Sequence, residues 1–313
     1  MSTLFTRRWL AVLLAGVCAV PVQAADDGWR AAILLDHGWD VHAGQTYASA
    51  SGRDLKLDLY MPSARPAAAL PVVINIHGGG WVFGSREGAS LTALPYMQMG
   101  FAVVNIEYRL AKTALAPAAV EDALCALQWV GRNAARYNFD LGKVVVTGNS
   151  AGGHLALTTA LIKPDSEMTN QCAANEPAWS GPYLNAAPKV AAVVNWYGIT
   201  DVADMLQGPN IRSYAVAWFG SMPGRMALAA QISPLRHVRP GNPAVVTVHG
   251  DADPLVPYAH ATRLHKALDK ASVKNELVTV KGGGHGGFSA EQQVDAYEKI
   301  RSFLVGLGIV TKQ

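Results

Sequence analysis

Ser150 stands in Gly148-Asn149-Ser150-Ala151-Gly152, a serine with a glycine two residues to either side. The apolar run Val144–Thr147 leads into it and a helical stretch leads out. A strand that turns sharply into a helix at a serine lifts that side chain above the sheet and leaves no room for a Cβ at the flanking positions. The alternative reading of Ser150 is a helix N-cap, with its hydroxyl bonded to the first helical turn. A serine hydroxyl becomes a useful nucleophile only when a base takes its proton and a third group orients the base. His285 lies in a glycine-rich run, 282–287, that leaves an imidazole free to swing over a sheet. Asp251 and Asp253 follow the apolar run Ala244–His249, and either carboxylate could hold the ring in the correct tautomer. Attack on a carbonyl also needs fixed donors for the developing oxyanion, each worth about 10²–10³ in rate. Gly79 and Gly80, in His77-Gly78-Gly79-Gly80-Trp81, supply backbone N–H groups at a strand end, and Ala151 N–H supplies a third. This glycine run lacks the Lys-Ser/Thr of a phosphate-binding loop and the G-x-G-x-x-G order of a dinucleotide site.

Other reactive side chains read as structural. His77 reads as a pin for its own loop, and His154, one helical turn past Ser150, as packing beneath it. His260 and His265 are expected at the surface of an amphipathic helix. Asp251, His249 and His285 lack metal-site spacing, and no cofactor is called for. Trp81, Tyr197 and Trp218 are candidates for the substrate-pocket wall.

These residues require a scaffold that delivers several strand ends to one place. Pro71–Gly78, Phe101–Tyr108, Lys143–Asn149, Val190–Gly198 and Pro243–Gly250 are continuous apolar runs, as expected of strands covered on both faces. Leu55–Met61 alternates and reads as a half-exposed strand, and Asn275–Gly282 as a last strand nearer the edge. Helical patterns cover Ala118–Tyr137, Ala151–Ile162, Tyr258–Asp269 and Ala290–Val305. Strand followed by helix, repeated, predicts an α/β fold with a mainly parallel, doubly wound sheet. Two stretches break the rhythm. Residues 163–189 form a Pro-, Asn- and Ala-rich excursion containing Cys172 and Trp179, and 201–240 reads as a small cap or pocket-wall insertion.

The N-terminus has its own layout. Arg7 and Arg8 precede the 12 apolar residues Trp9–Val20, and Val22-Gln23-Ala24 follows. A span of that length is too short to cross a bilayer, and the arrangement predicts a signal peptide over 1–24, with a catalytic domain over 25–313 exported to the periplasm or beyond. Removing 24 of 313 residues leaves 289, ample for a buried core. Basic and acidic residues then nearly balance, without charged blocks, which argues against nucleic acid or a membrane surface as partner. Cys125 and Cys172 remain, as one disulfide or two thiols. Oligomeric state is not legible.

The strings "HGGGW", "YRL" (Tyr108–Leu110), "PAAVED" (Pro117–Asp122), "GNSAGGHLA" and "HGDADPLVP", in this order, resemble serine esterases of the α/β-hydrolase superfamily. They are similar to the hormone-sensitive-lipase-like carboxylesterases, and closer to the secreted group that includes feruloyl and acetyl xylan esterases. The resemblance covers about Tyr47 to the C-terminal helix. It implies an α/β-hydrolase fold and a triad of Ser150, Asp253 and His285, with Asp251 left to shape its loop. It also implies that Arg109 and Asp122 are a buried structural pair, and that the substrate is a small-molecule or polysaccharide-linked ester. The sequence departs from the group at Ala116, where relatives often carry an aromatic, so a wider pocket is expected there. Two rival readings are a secreted serine peptidase of prolyl-oligopeptidase type and a binding protein on an inactive hydrolase scaffold. The short region before Ser63 disfavours the first, and the presence of all three triad residues disfavours the second.

Overall fold

The computed structural model describes residues 38–64, 66–169, 172 and 188–311. The export signal read over 1–24 and most of the 163–189 excursion, Trp179 included, lie outside the described residues. Eight strands form one sheet: β1 (Trp39–Ala50), β2 (Arg53–Pro62), β3 (Leu70–Ile76), β4 (Ala102–Ile106), β5 (Phe139–Asn149), β6 (Val190–Trp196), β7 (Ala244–Gly250) and β8 (Asn275–Val280). Their spatial order is β1-β2-β4-β3-β5-β6-β7-β8. β1 and β2 pair antiparallel, as do β2 and β4, and every later pairing is parallel. The helices are α1 (Leu94–Gln98), α2 (Ala118–Tyr137), α3 (Ala151–Leu161), α4 (Ser213–Phe219), α5 (Arg225–Gln231), α6 (Ala259–Lys270) and α7 (Ala290–Gly306). Among the described residues no helix is long and apolar enough to cross a membrane.

The continuous apolar runs are central strands because both faces are covered. Val144 and Val146 join the core that holds Leu155 of α3 and Leu124 of α2, while Val145 joins the core under Tyr96 of α1 and Ile300 of α7. Helix ends follow local chemistry. Asn138 closes α2 in the left-handed conformation, and Ser289 and Gln292 form a reciprocal capping box at the start of α7.

Three expectations need correction. β2 is not half-exposed: Leu57, Leu59 and Met61 pack into one core and Tyr60 into the other, and buried Asp58 accepts from Gly44 N–H at 2.8 Å and faces Arg86 Nε at 3.2 Å. The polar residue that suggested a wet face is thus an internal ion-pair partner. His260 and His265 are buried, not on the surface of α6. His260 Nδ1 accepts from Thr200 N–H at 3.1 Å, and His265 Nδ1 pairs with Asn275 Oδ1 at 2.6 Å. Ala116 does not widen a pocket, because it is itself buried and its N–H donates to Trp218 O at 3.0 Å. By contrast, Arg109 and Asp122 form the expected buried pair, with Nε and Nη2 donating at 2.9 and 2.7 Å to Oδ1. Cys125 on α2 and Cys172 form a disulfide with Cα atoms 5.4 Å apart.

Candidate active site

β5 delivers Ser150 at its C-terminal end, where φ is 55° and ψ is −119°. A non-glycine residue rarely adopts that backbone, and it persists only when its surroundings over-determine it. Here Ser150 N–H donates to Trp196 O at 2.9 Å, and Ser150 O accepts from His154 N–H at 3.0 Å. The serine side chain makes no capping bond to α3, so the N-cap alternative is not the geometry found. Position 152 must be glycine, since a Cβ there would collide with Ile76 O at the end of β3.

The side chain of Ser150 turns to His285 instead, whose Nε2 lies 2.8 Å from Oγ. On the other side of the ring, Nδ1 lies 2.7 Å from Asp253 Oδ2. Asp253 Oδ1 accepts Leu255 N–H at 2.8 Å and Val256 N–H at 2.9 Å. The carboxylate side chain is fully buried, while the imidazole is 14% exposed, enough for a ligand to reach it. Burial alone would raise the Asp253 carboxyl. Hydrogen bonds from His249, His285 and Val256 N–H outweigh it and hold the group well below the usual carboxylate range. Asp251 takes no part in this chain of bonds; its Oδ1 accepts Gly282 N–H at 2.6 Å, which ties its loop to the end of β8.

The glycine loop after β3 runs beside the elbow: a Cβ on Gly78 would stand 2.7 Å from Asn149 Nδ2. Gly79 and Gly80 have φ values of 112° and 58°, and Trp81 follows at 61°. Among the described residues no acceptor takes the Gly79 or Gly80 N–H, and Ala151 N–H opens α3 without an intrahelical partner. His77 pins the loop as expected, with Nδ1 donating to Gly78 O at 2.7 Å and its ring stacked on Tyr108. Burial pushes its imidazole down to about 4.

The pocket-wall candidates divide. Trp81 and Trp218 are fully buried, stacked 4.1 Å apart with His154 edge-on to both, so neither offers surface to a substrate. An aromatic beside a site satisfies a core as readily as a pocket, and here the pair fills the space under the glycine loop. Tyr197 does line a cavity, of about 170 Å³, with Asn149, Trp196, Gly286, Phe288 and Tyr297. Its ring also packs edge-on against His285, with centroids 4.7 Å apart. Two residues that the sequence reading passed over bolt the cap to the site. Arg212 donates to Leu255 O at 2.9 Å and Pro254 O at 3.0 Å, beside the Asp253 loop. Tyr214, on α4, packs so closely on Gly80 that a Cβ there would lie 2.8 Å from the tyrosine Cβ. No periodicity marks either residue. Among the described residues no group of three or more His, Cys, Asp or Glu could hold a metal ion.

Known proteins resemble this chain in both sequence and shape. Esterase LipQ of Mycobacterium tuberculosis (strain ATCC 25618 / H37Rv) is 28% identical over 228 residues, covering 70% of this chain and 51% of LipQ. LipM of the same strain, a probable carboxylic ester hydrolase, is 27% identical over 226 residues, covering 70% of this chain and 50% of LipM. The chain therefore spans about half the length of these curated relatives. A truncated carbohydrate esterase from gut microbiota superposes with a TM-score of 0.70 at 28% identity, covering 86% of this chain and 96% of that one. Apo Thermogutta terrifontis esterase 2 does so with a TM-score of 0.71 at 25% identity, covering 88% and 97%. The topology is the α/β-hydrolase fold of these neighbours. The family described as BD-FAE matches residues 57–268, more than half of the 313-residue chain, and the chain belongs to that family.

Proposed function

We propose that this chain is an exported serine carboxylesterase that hydrolyses small, acetyl or aryl carboxylic esters through an acyl-enzyme on Ser150. The observation that carries the reading is the unbroken chain of contacts from Ser150 Oγ to His285 Nε2 at 2.8 Å, and from His285 Nδ1 to Asp253 Oδ2 at 2.7 Å. In the first half-reaction His285 Nε2 takes the hydroxyl proton as Oγ bonds to the ester carbonyl carbon. The carbonyl oxygen, now an oxyanion, is met by the N–H groups of Gly79, Gly80 and Ala151. The imidazolium returns the proton to the departing alcohol, and water repeats the sequence to release the acid. Asp253 keeps its negative charge throughout and stabilises the imidazolium. Names of relatives and neighbours as esterases support the reaction class. The Cys125–Cys172 disulfide suits an oxidising compartment and supports export, as does the leader pattern over 1–24.

The test is a panel of p-nitrophenyl acetate, butyrate, longer acyl and feruloyl esters, with dipeptide anilides alongside. Turnover of short or aryl esters is expected, with the rate falling by about 10⁴-fold or more in Ser150→Ala. A fluorophosphonate should label Ser150 and no other serine. An unlabelled Ser150, or anilide turnover exceeding ester turnover, would overturn the reading.

A further inference from the structure

Asp253 Oδ2 faces two imidazoles rather than one. Besides His285, it lies 3.2 Å from Nε2 of His249, the penultimate residue of β7 and fully buried. His249 Nε2 also lies 3.0 Å from Val256 O. Both neighbours are acceptors, so Nε2 must carry the ring proton. Nδ1, buried and without a partner among the described residues, must then be bare. The geometry thus assigns His249 the Nε2–H tautomer, with Nδ1 unpartnered in the core. The His249 Nε2–H hydrogen-bonds to Val256 O, and Val256 N–H in turn donates to Asp253 Oδ1 at 2.9 Å, so His249 holds the loop that aims the carboxylate and leaves the edge of its ring 3.2 Å from Oδ2.

We propose that His249 is a positioning residue acting through Asp253: its Nε2–H anchors the Asp253 loop at Val256 O, holds the positive edge of its ring against the carboxylate, and so limits how strongly Asp253 attracts a proton onto His285. The proposal rests on the ester-hydrolase reading for its purpose but not for its measurement. A carboxylate already supplied with donors is a weaker base, and so a weaker stabiliser of the imidazolium opposite. The groups facing His249 are few. Tyr258, at the start of α6, presents its ring edge at 5.7 Å. His260, further along α6, is close enough to interact electrostatically with His249, as is Asp253 with His260. From β8, Thr279 pairs with His249 across the ladder and binds the Tyr258 hydroxyl. None of these supplies a second donor to Asp253 Oδ2.

The experiment compares wild type, His249→Phe and His249→Gln. It follows the His285 imidazole by ¹⁵N NMR across pH 5–8 and measures the acid limb of kcat/KM with p-nitrophenyl acetate. Losing the donor in His249→Phe should move the His285 titration, and with it the acid limb, upward by about half a pH unit or more. That lowers the rate on the limb about threefold at unchanged KM. His249→Gln, whose amide N–H reaches the place of Nε2, should move both back toward wild type. In wild type the His249 ring should read as the Nε2–H tautomer at pH 8, which tests the tautomer even if His249→Phe does not fold. A folded His249→Phe with an unmoved His285 titration, equal shifts in Phe and Gln, or an Nδ1–H form of His249 would each overturn the proposal. A wild type inert toward esters would sink the ester-hydrolase reading instead and leave the NMR comparison standing.

Discussion

Ser150 stores its strain where it is useful, because a φ of 55° with ψ of −119° aims Oγ at His285 rather than along α3. Such a backbone costs about 1–3 kcal/mol and is retained where neighbours hold it. Ser150 and His285 were legible in the sequence because close backbone approach demands glycine, and glycines leave a visible pattern around them. The choice between Asp251 and Asp253 was not legible from spacing, since both follow β7 on one short loop. Geometry separates them: the Asp253 side chain is fully buried against two imidazoles, whereas that of Asp251 is 30% exposed and ties down Gly282 N–H. Asp253→Asn should therefore lower kcat by about 10⁴-fold, because the amide would hold the wrong tautomer of His285. Asp251→Asn should cost less than about tenfold, as expected for a loop-shaping side chain. Steady-state kinetics on the two variants decides the matter, and a reversed order would move the orienting role to Asp251. Trp81 and Trp218 were misread because residue type alone does not tell a pocket wall from the packing beneath it.

At the level of elements, the strands that carry the site were the legible ones. β3, β5, β6 and β7 are apolar on both faces, so their sequences read as strands whatever surrounds them. β1 was not anticipated: its run of Trp39–Ala50 mixes exposed and half-buried residues and pairs with β2 through two register shifts. The short helices α4 and α5 escaped notice for a similar reason, since seven residues hold too few turns for a periodic signal. The disulfide was left open by sequence because nothing in a spacing of 47 residues reports distance in space. It ties α2 to Cys172 in the excursion after α3. Cross-linking a loop of that length removes about 4 kcal/mol of loop-closure freedom from the unfolded chain in the chain-entropy account. Reduction, or Cys125→Ser with Cys172→Ser, should lower Tm by several degrees while kcat on a short ester changes little, because neither cysteine hydrogen-bonds to Ser150, His285 or Asp253. Calorimetry with and without reductant checks this, and an unchanged Tm would show that the bridge constrains nothing the fold does not already hold.

The whole molecule carries an acid sensitivity that no single site displays. His77 and His154 are buried and neutral, each pushed from 6.5 down to about 4 by burial, and burial lowers His260, His237 and His265 in the same direction. Burial outweighs hydrogen bonds that by themselves favour the charged ring, such as His154 Nε2–H to Ile232 O at 2.8 Å, while His260 Nδ1 accepts Thr200 N–H and so needs a bare nitrogen. In the unfolded chain these rings would protonate near the ordinary histidine value, so between about 6.5 and about 4 the unfolded state binds more protons than the folded one. Stability must then fall as pH falls through that window; each fully shifted histidine contributes a slope of up to about 1.4 kcal/mol per pH unit. His77 and His154 alone give about 2.4 kcal/mol per pH unit near pH 5, by the same relation. Burial raises the Glu121 and Asp122 carboxyls, which works the other way, but that is two groups against five histidines. The low Asp253 carboxyl adds its own loss only in stronger acid, below the ordinary carboxylate range. Tm measured from pH 7.5 to 4.5 should therefore drop steadily, and unfolding near pH 5 should take up at least about two protons per molecule. His154→Gln, which keeps a donor toward Ile232 O, should flatten the slope by about one proton's worth whatever its effect on absolute stability. A Tm that stays level across this range, with no proton uptake on unfolding, would mean that these rings titrate in the folded molecule as they do in the open chain.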